Sequence, residues 1–212
     1  MSKVVLHVTM SLDGFMAGPD ISVEHPMGRG GLRLHDWILN TPTNDVDTSV
    51  TQEISASTGA VVLGRRTFDV GVQVWQDTPF PVPCFVLTHN ARSQRAMKSG
   101  TFTFITNGLK SALQQAEAVA DGKNVALMGA DIAQQALGAG LLDEINLQLA
   151  PVLMGDGRRL FEHLGTEHLE LERTRILSSP LVTHLRFQVR RARNLSDATA
   201  LDHGLEADRR QN

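Results

Sequence analysis

Short apolar runs alternate with amphipathic stretches along most of this chain, and the alternation marks its elements. The first run, residues 3–10, is nearly continuous in apolar residues, which predicts a strand buried on both faces. "SLDGFMAGPD" then turns the chain into an irregular stretch, residues 20–45, containing "PMGRGGLRLHDWILN". A loop of that length in a compact domain is a functional lid or a disordered insert. Helical spacing predicts helices over 46–57, 109–120 and 131–137, the last ended by "GAG". Strands are expected at 60–63, 83–88, 101–105, 125–128 and 145–149. "PVLMGDGRRLFE" reads as a turn and short helix, and strands 168–177 and 182–190 pair as a hairpin across "SSP". Strands alternate with helices to about residue 140 and then pair directly, which predicts an α/β sheet, parallel at first, with an antiparallel edge. Residues 1–192 form one domain in this reading, and 193–212 a polar tail.

Length and charge narrow the function. A chain of 212 residues fits one sizeable domain. A net charge of −3 argues against broad nucleic-acid or anionic-membrane binding, so any anion site is local. Cys84 is the sole cysteine, which excludes an internal disulfide and suits a reducing compartment. The N-terminal run is too short and polar for a signal peptide or membrane span, so a cytoplasmic protein is expected. His163 and His168 lack a third ligand, and no H-x-E…P-C-x-x-C zinc pattern occurs. No metal is expected.

Three predicted strand ends look alike. Leu63 leads into Gly64 and a helix start, Met128 into Gly129-Ala130 and a helix start, and Leu87 into Thr88-His89-Asn90. In open α/β sheets ligands bind outside the carboxyl ends of the strands, and a helix N-terminus there favours phosphate. Two such junctions suit a pyrophosphate. Arg65, in "VLGRRTFD", is either a fork-shaped donor to a further phosphate, which would make the ligand NADP, or part of a solvated helix face with Arg66. The common dinucleotide fingerprint is absent, since "GRGGLR" has Arg33 at its last glycine position and no preceding strand.

"SLDGFMAGPD", "VLGRRTFD", "CFVLTHN", "LMGADIAQQAL" and "GLLDEINLQLAPVLMGDGRRLFE", in that order, resemble the dihydrofolate-reductase-like superfamily. More narrowly they resemble its riboflavin-biosynthesis reductase C-terminal domain branch, over about residues 3–190. The resemblance implies a central mixed sheet flanked by helices, NADPH as cofactor, and a homodimer. It places Arg65 at the adenosine 2′-phosphate, Thr67 at the pyrophosphate, and Thr88 and His89 beside the 2′-phosphate and adenine. Gly129 and Ala130 match a Gly-Gly pair against the pyrophosphate, and Gly64 and Asp131 complete the cofactor-binding set. The chain departs from the pattern at Ala130, where the family has glycine, and at Met128, where its riboflavin-pathway members carry an acid. With no zinc-deaminase half, it reads as a stand-alone relative.

"SLDG" falls, by this resemblance, beside nicotinamide and substrate, which makes Asp13 the catalytic candidate, for substrate hydrogen bonding and proton delivery. The other reading of Asp13 is a turn cap before Gly14. Asp36 competes, because the dihydrofolate reductases that the chain resembles use a helix carboxylate in a comparable region, and Trp37 and Trp75 are either ring-pocket walls or core. The resemblance also implies that Asp156 sits in a turn near the same site, and Arg158 and Arg159 meet an anionic substrate or form a solvated face. The expected activity is NADPH-dependent hydride transfer to a small planar heterocycle of the pterin, pyrimidine or flavin-precursor kind. The alternatives are the riboflavin-pathway 5-amino-6-(5-phosphoribosylamino)uracil reductase and a non-catalytic NADP-binding module.

Overall fold

The structure, a computed structural model, describes residues 2–40, 44–165 and 168–190. In chain order its first half contains β1 (Val4–Ser11), β2 (Phe15–Ala17), α1 (Asp36–Leu39), α2 (Asp45–Ser57), β3 (Thr58–Gly64), α3 (Arg65–Trp75), β4 (Cys84–Leu87) and β5 (Arg95–Ala96). The second half adds β6 (Thr101–Ile105), α4 (Leu109–Val119), β7 (Asn124–Met128), α5 (Ala130–Gly138), β8 (Glu144–Ala150), β9 (Arg158–Arg159), β10 (Leu171–Ser178) and β11 (Thr183–Val189).

The nine-stranded sheet runs β10-β11-β8-β1-β7-β3-β4-β6-β5. From β8 to β6 the neighbours are parallel, while β11 joins β8 and β10 antiparallel. The chain therefore adopts the expected α/β fold, a mostly parallel sheet with a C-terminal antiparallel hairpin. Alternation along β3 explains why it is apolar throughout. Ala60 and Val62 join the larger apolar cluster, and Val61 and Leu63 the smaller one on the opposite face.

Helices α4 and α5 supply Ala112, Ala116, Ala133 and Ala136 to the larger cluster, all fully buried. These small side chains let both helices lie close on the sheet. On the other face, Phe68 and Val72 of α3 pack with Cys84, Val86 and Phe102. Phe102 is fully buried and meets Phe68 edge-on at 4.9 Å between centroids. Phe102→Ala is expected to cost about 3–5 kcal/mol, read from the denaturant midpoint.

Three differences from the sequence reading have local causes. Residues 158–159 form a strand rather than a helix, because β9 pairs antiparallel with β2 and the Arg159 guanidinium lies 4.3 Å from the Phe15 ring centroid. The 20–45 stretch folds back on itself: Gly18 N–H donates to Met27 O at 2.8 Å and Arg29 N–H to Pro19 O at 2.8 Å. A Cβ on Gly28 would lie 2.2 Å from Gly18 O, so this closure requires glycine. A 3-10 turn (Gly31–His35) and α1 follow. Finally, β10 begins at Leu171, three residues later than expected. The expected tail, 193–212, lies outside the described residues. No helix among the described residues is long and apolar enough to cross a membrane.

Candidate cofactor and substrate site

Sheet order decides which strand ends meet. β3 and β7 are neighbours, with Leu63 opposite Met128, so Gly64 and Gly129 leave the sheet side by side. Helix α3 begins directly after Gly64 and α5 directly after Gly129. Neither N-cap residue offers a side-chain hydrogen bond. Both helices thus present uncapped backbone N–H groups and the positive ends of their dipoles at one place.

Gly129 has φ +101° and ψ 144°, a conformation essentially reserved for glycine. A Cβ on it would lie 2.6 Å from Thr67 Oγ1. The Thr67 hydroxyl, in the first turn of α3, therefore sits against the peptide that opens α5. Ala130, the first residue of α5, is buried, and no positive φ burdens its side chain, so the extra Cβ relative to glycine is accommodated. Asp131 follows and pairs with Arg158, tying the first turn of α5 to β9.

Arg65 is about a quarter exposed, and its Nε donates to Asp69 Oδ1 at 2.8 Å. Its two Nη groups have no hydrogen-bond partner among the described residues. Arg66 is exposed. One strand further along the rim, Gly64 lies opposite Leu87 of β4, which leads to buried Thr88 and exposed His89. Thr88 Oγ1 accepts the Asn90 N–H at 3.2 Å. Gly64, Arg65, Thr67, Thr88, His89, Gly129, Ala130 and Asp131 thus lie on three adjacent strand ends and the helix starts that follow two of them.

Asp13 stands on the other side, above β1 and β8. Ser11 Oγ donates to Asp13 Oδ1 at 2.6 Å, Met154 N–H reaches Oδ1 at 3.0 Å, and Gly155 N–H reaches Oδ2 at 2.7 Å. The Ser11 hydroxyl first, then the Met154 and Gly155 amides, hold the carboxyl well below its usual range, at about 2. At neutral pH Asp13 is ionised, with both oxygens engaged. It clasps the loop after β8 to the turn after β1, and Arg159 Nη1 adds a bond to Asp13 O at 2.9 Å.

The clasp has a pH signature. The folded value, about 2, lies below the ordinary 3.8, so its stabilisation is complete above pH 4 and is lost as pH falls through 2. Native protein is expected to melt above Asp13→Asn by a constant margin from pH 5 to 8, closing towards pH 2 in a calorimetric series.

The other sequence candidates are accounted for inside the protein. Asp36 accepts the Arg33 guanidinium. Trp37 is buried and donates Nε1–H to Thr9 Oγ1 at 3.2 Å. Trp75 packs on Gly71 of its own helix, in the smaller apolar cluster. Asp156 takes the Gly157 N–H at 2.7 Å, within the turn. Sequence reasoning missed Asp47, a buried carboxylate of α2 whose Oδ1 accepts His184 Nε2–H at 2.8 Å. It also missed His7, whose burial, reinforced by the Arg186 charge, pushes its pKa down to about 4. Among the described residues, no group of three His, Cys, Asp or Glu is placed to hold a metal ion.

A mostly parallel sheet whose rim carries paired helix N-termini is the frame of the reductase-type α/β fold. The chain belongs to the RibD C-terminal domain family, which matches residues 2–184. Among curated proteins it is similar to the uncharacterized protein YyaP of Bacillus subtilis (strain 168), 24% identical over 191 residues, covering 85% of this chain and 92% of that protein. A putative riboflavin biosynthesis protein from Shewanella sp. PV-4 shares the fold with a TM-score of 0.69 and 20% identity, over 89% of this chain and 99% of that one. A dihydrofolate reductase from Enterococcus faecalis, complexed with NADP(H) and RAB-propyl, superposes with a TM-score of 0.56 and 12% identity, over 89% and 97%.

Proposed function

We propose that the protein is an NADPH-dependent reductase that transfers a hydride to a small planar heterocycle of the pterin, pyrimidine or flavin-precursor kind. One observation carries the reading: the bare N-termini of α3 and α5 lie side by side, with Thr67 Oγ1 against Gly129. Four kinds of group fit the cofactor. Backbone N–H groups of both first turns and the Thr67 hydroxyl take the pyrophosphate, because a Cβ at Gly129 would fill the space where it approaches. The free Nη groups of Arg65 take the 2′-phosphate, a bidentate use that Asp69 leaves open. Thr88 and His89 border the adenosine end. NADPH supplies the hydride when bound, and the chain's part is to position it.

Asp13 acts in this reading as a positioning residue that fixes the mouth formed by Met154 and Gly155. Its ionised, fully engaged carboxylate has no proton to deliver, so protonation of the product falls to water or to the substrate itself. That observation also favours a second reading, a non-catalytic NADP-binding module. Membership of the RibD C-terminal family supports a riboflavin-pathway pyrimidine as one substrate to try. Small-molecule partners in a homodimeric, cytoplasmic protein belong to the same proposal.

Fluorescence titration with NADPH and NADH, followed by NADPH oxidation against a panel of pterins, pyrimidines and flavin precursors, separates these readings. Tight NADPH binding with turnover of a panel member supports the reductase. Binding without turnover supports the module, and no binding of either nucleotide sinks both.

A further inference from the structure

The two-residue strand β9 is anchored from both sides against the opening of α5. Gly157 precedes it with φ +138°, and a Cβ there would lie 2.1 Å from Ala17 O, so the chain enters β9 pressed against β2. Arg158 then pairs with Ala17, and Leu160 N–H donates to Gly14 O at 3.0 Å. From the helix side, Gln134 Nε2 donates to Leu160 O at 3.0 Å, and Leu160 is fully buried. Arg158 is thereby fixed beside the first turn of α5, where its Nη2 donates to Asp131 Oδ1.

Its partner is an awkward residue for the proposed pyrophosphate seat. Asp131 puts a carboxylate in the opening turn of α5, whereas Arg65, Arg66 and Thr67 open α3 without one. A carboxylate there suits the dipole of its own helix but competes with a phosphate drawn to the same N–H groups. Left bare, it repels that phosphate, roughly a tenfold effect on binding for two charges near a protein surface. A partly exposed ion pair such as Arg158–Asp131 contributes little to stability. The anchoring of Arg158 therefore matters more for the charge of the seat than for the fold.

We propose that Arg158 is a positioning residue of the cofactor seat: it neutralises Asp131, so that the opening turns of α3 and α5 together accept a pyrophosphate. The inference rests on the cofactor reading above and adds to it a residue from outside both helices. The pyrophosphate is common to NADPH and NADH. Arg158 therefore sets the affinity for both alike, in contrast to Arg65.

The test measures NADPH and NADH dissociation constants for the full chain at low ionic strength, where charge effects are least screened. Arg158→Gln is expected to weaken both nucleotides equally, by about tenfold, and Arg158→Lys, which keeps the charge, to stay within about threefold of native. Adding Asp131→Asn to Arg158→Gln is expected to restore both affinities to within about threefold, a rescue that a merely structural role of the arginine does not give. A loss below about threefold in Arg158→Gln would overturn the inference, as would a loss confined to NADPH or a double variant as weak as the single one. A native protein that binds neither nucleotide overturns the cofactor reading and this inference together, whereas native binding with unaffected variants overturns this inference alone.

Discussion

Arg65→Ala is expected to weaken NADPH binding roughly ten- to a hundredfold while leaving NADH within about twofold. The magnitude follows from a charge-assisted bond to phosphate, about 1.5–3 kcal/mol, at 1.4 kcal/mol per factor of ten. The native arginine is positioned for such a bond before any ligand arrives. Asp69 holds its Nε at 2.8 Å, and the two Nη groups are left over. The Arg65–Asp69 pair itself is a partly exposed i,i+4 contact, so its loss changes stability little, and the melting temperature serves as the control. Arg66→Ala is the matched comparison, because Arg66 is exposed and contributes only diffuse charge. Equal loss of NADPH and NADH in Arg65→Ala would remove Arg65 from 2′-phosphate recognition.

The second large effect is expected at Gly129. Gly129→Ala forces a side chain into φ +101° and a 2.6 Å contact with Thr67 Oγ1. The backbone conformation alone costs about 1–3 kcal/mol for a non-glycine residue. In the proposed seat the new methyl would occupy the approach of the pyrophosphate, so binding is expected to suffer more than stability, with at least a hundredfold loss of NADPH affinity. Adding Thr67→Ala separates the two effects. Removal of Oγ1 relieves the contact and is expected to recover part of the melting temperature, yet affinity is expected to stay low if, as proposed, the hydroxyl also binds the pyrophosphate. Recovery of both together would mean that Gly129 is needed only for packing.

The rim was legible in the sequence because its signals are local. An apolar run, a glycine and a helix start occur within a few residues at Gly64 and again at Gly129, and sheet topology then makes them neighbours. Asp13 was legible as a candidate, but the groups its carboxylate contacts were not. The Met154 and Gly155 amides that engage its carboxylate lie more than 140 residues further along the chain. Asp47 was missed for the same reason, since its partner His184 is 137 residues away and nothing near "DVDTSV" marks it as buried. Asp36 drew attention only through the dihydrofolate-reductase resemblance, in which a helix carboxylate occupies a comparable region, and its carboxylate is occupied by Arg33 in the preceding turn. The β2–β9 ribbon has only three and two residues per strand, too few for a period to show.

Backbone amide mapping by ¹H–¹⁵N spectra during an NADPH titration tests the proposed cofactor seat most directly. The account expects the largest shifts at Arg65, Arg66 and Thr67 and at Ala130, Asp131 and Ile132, the opening turns of α3 and α5. Saturable binding that leaves both turns unmoved, with shifts gathered elsewhere on the sheet, would contradict it.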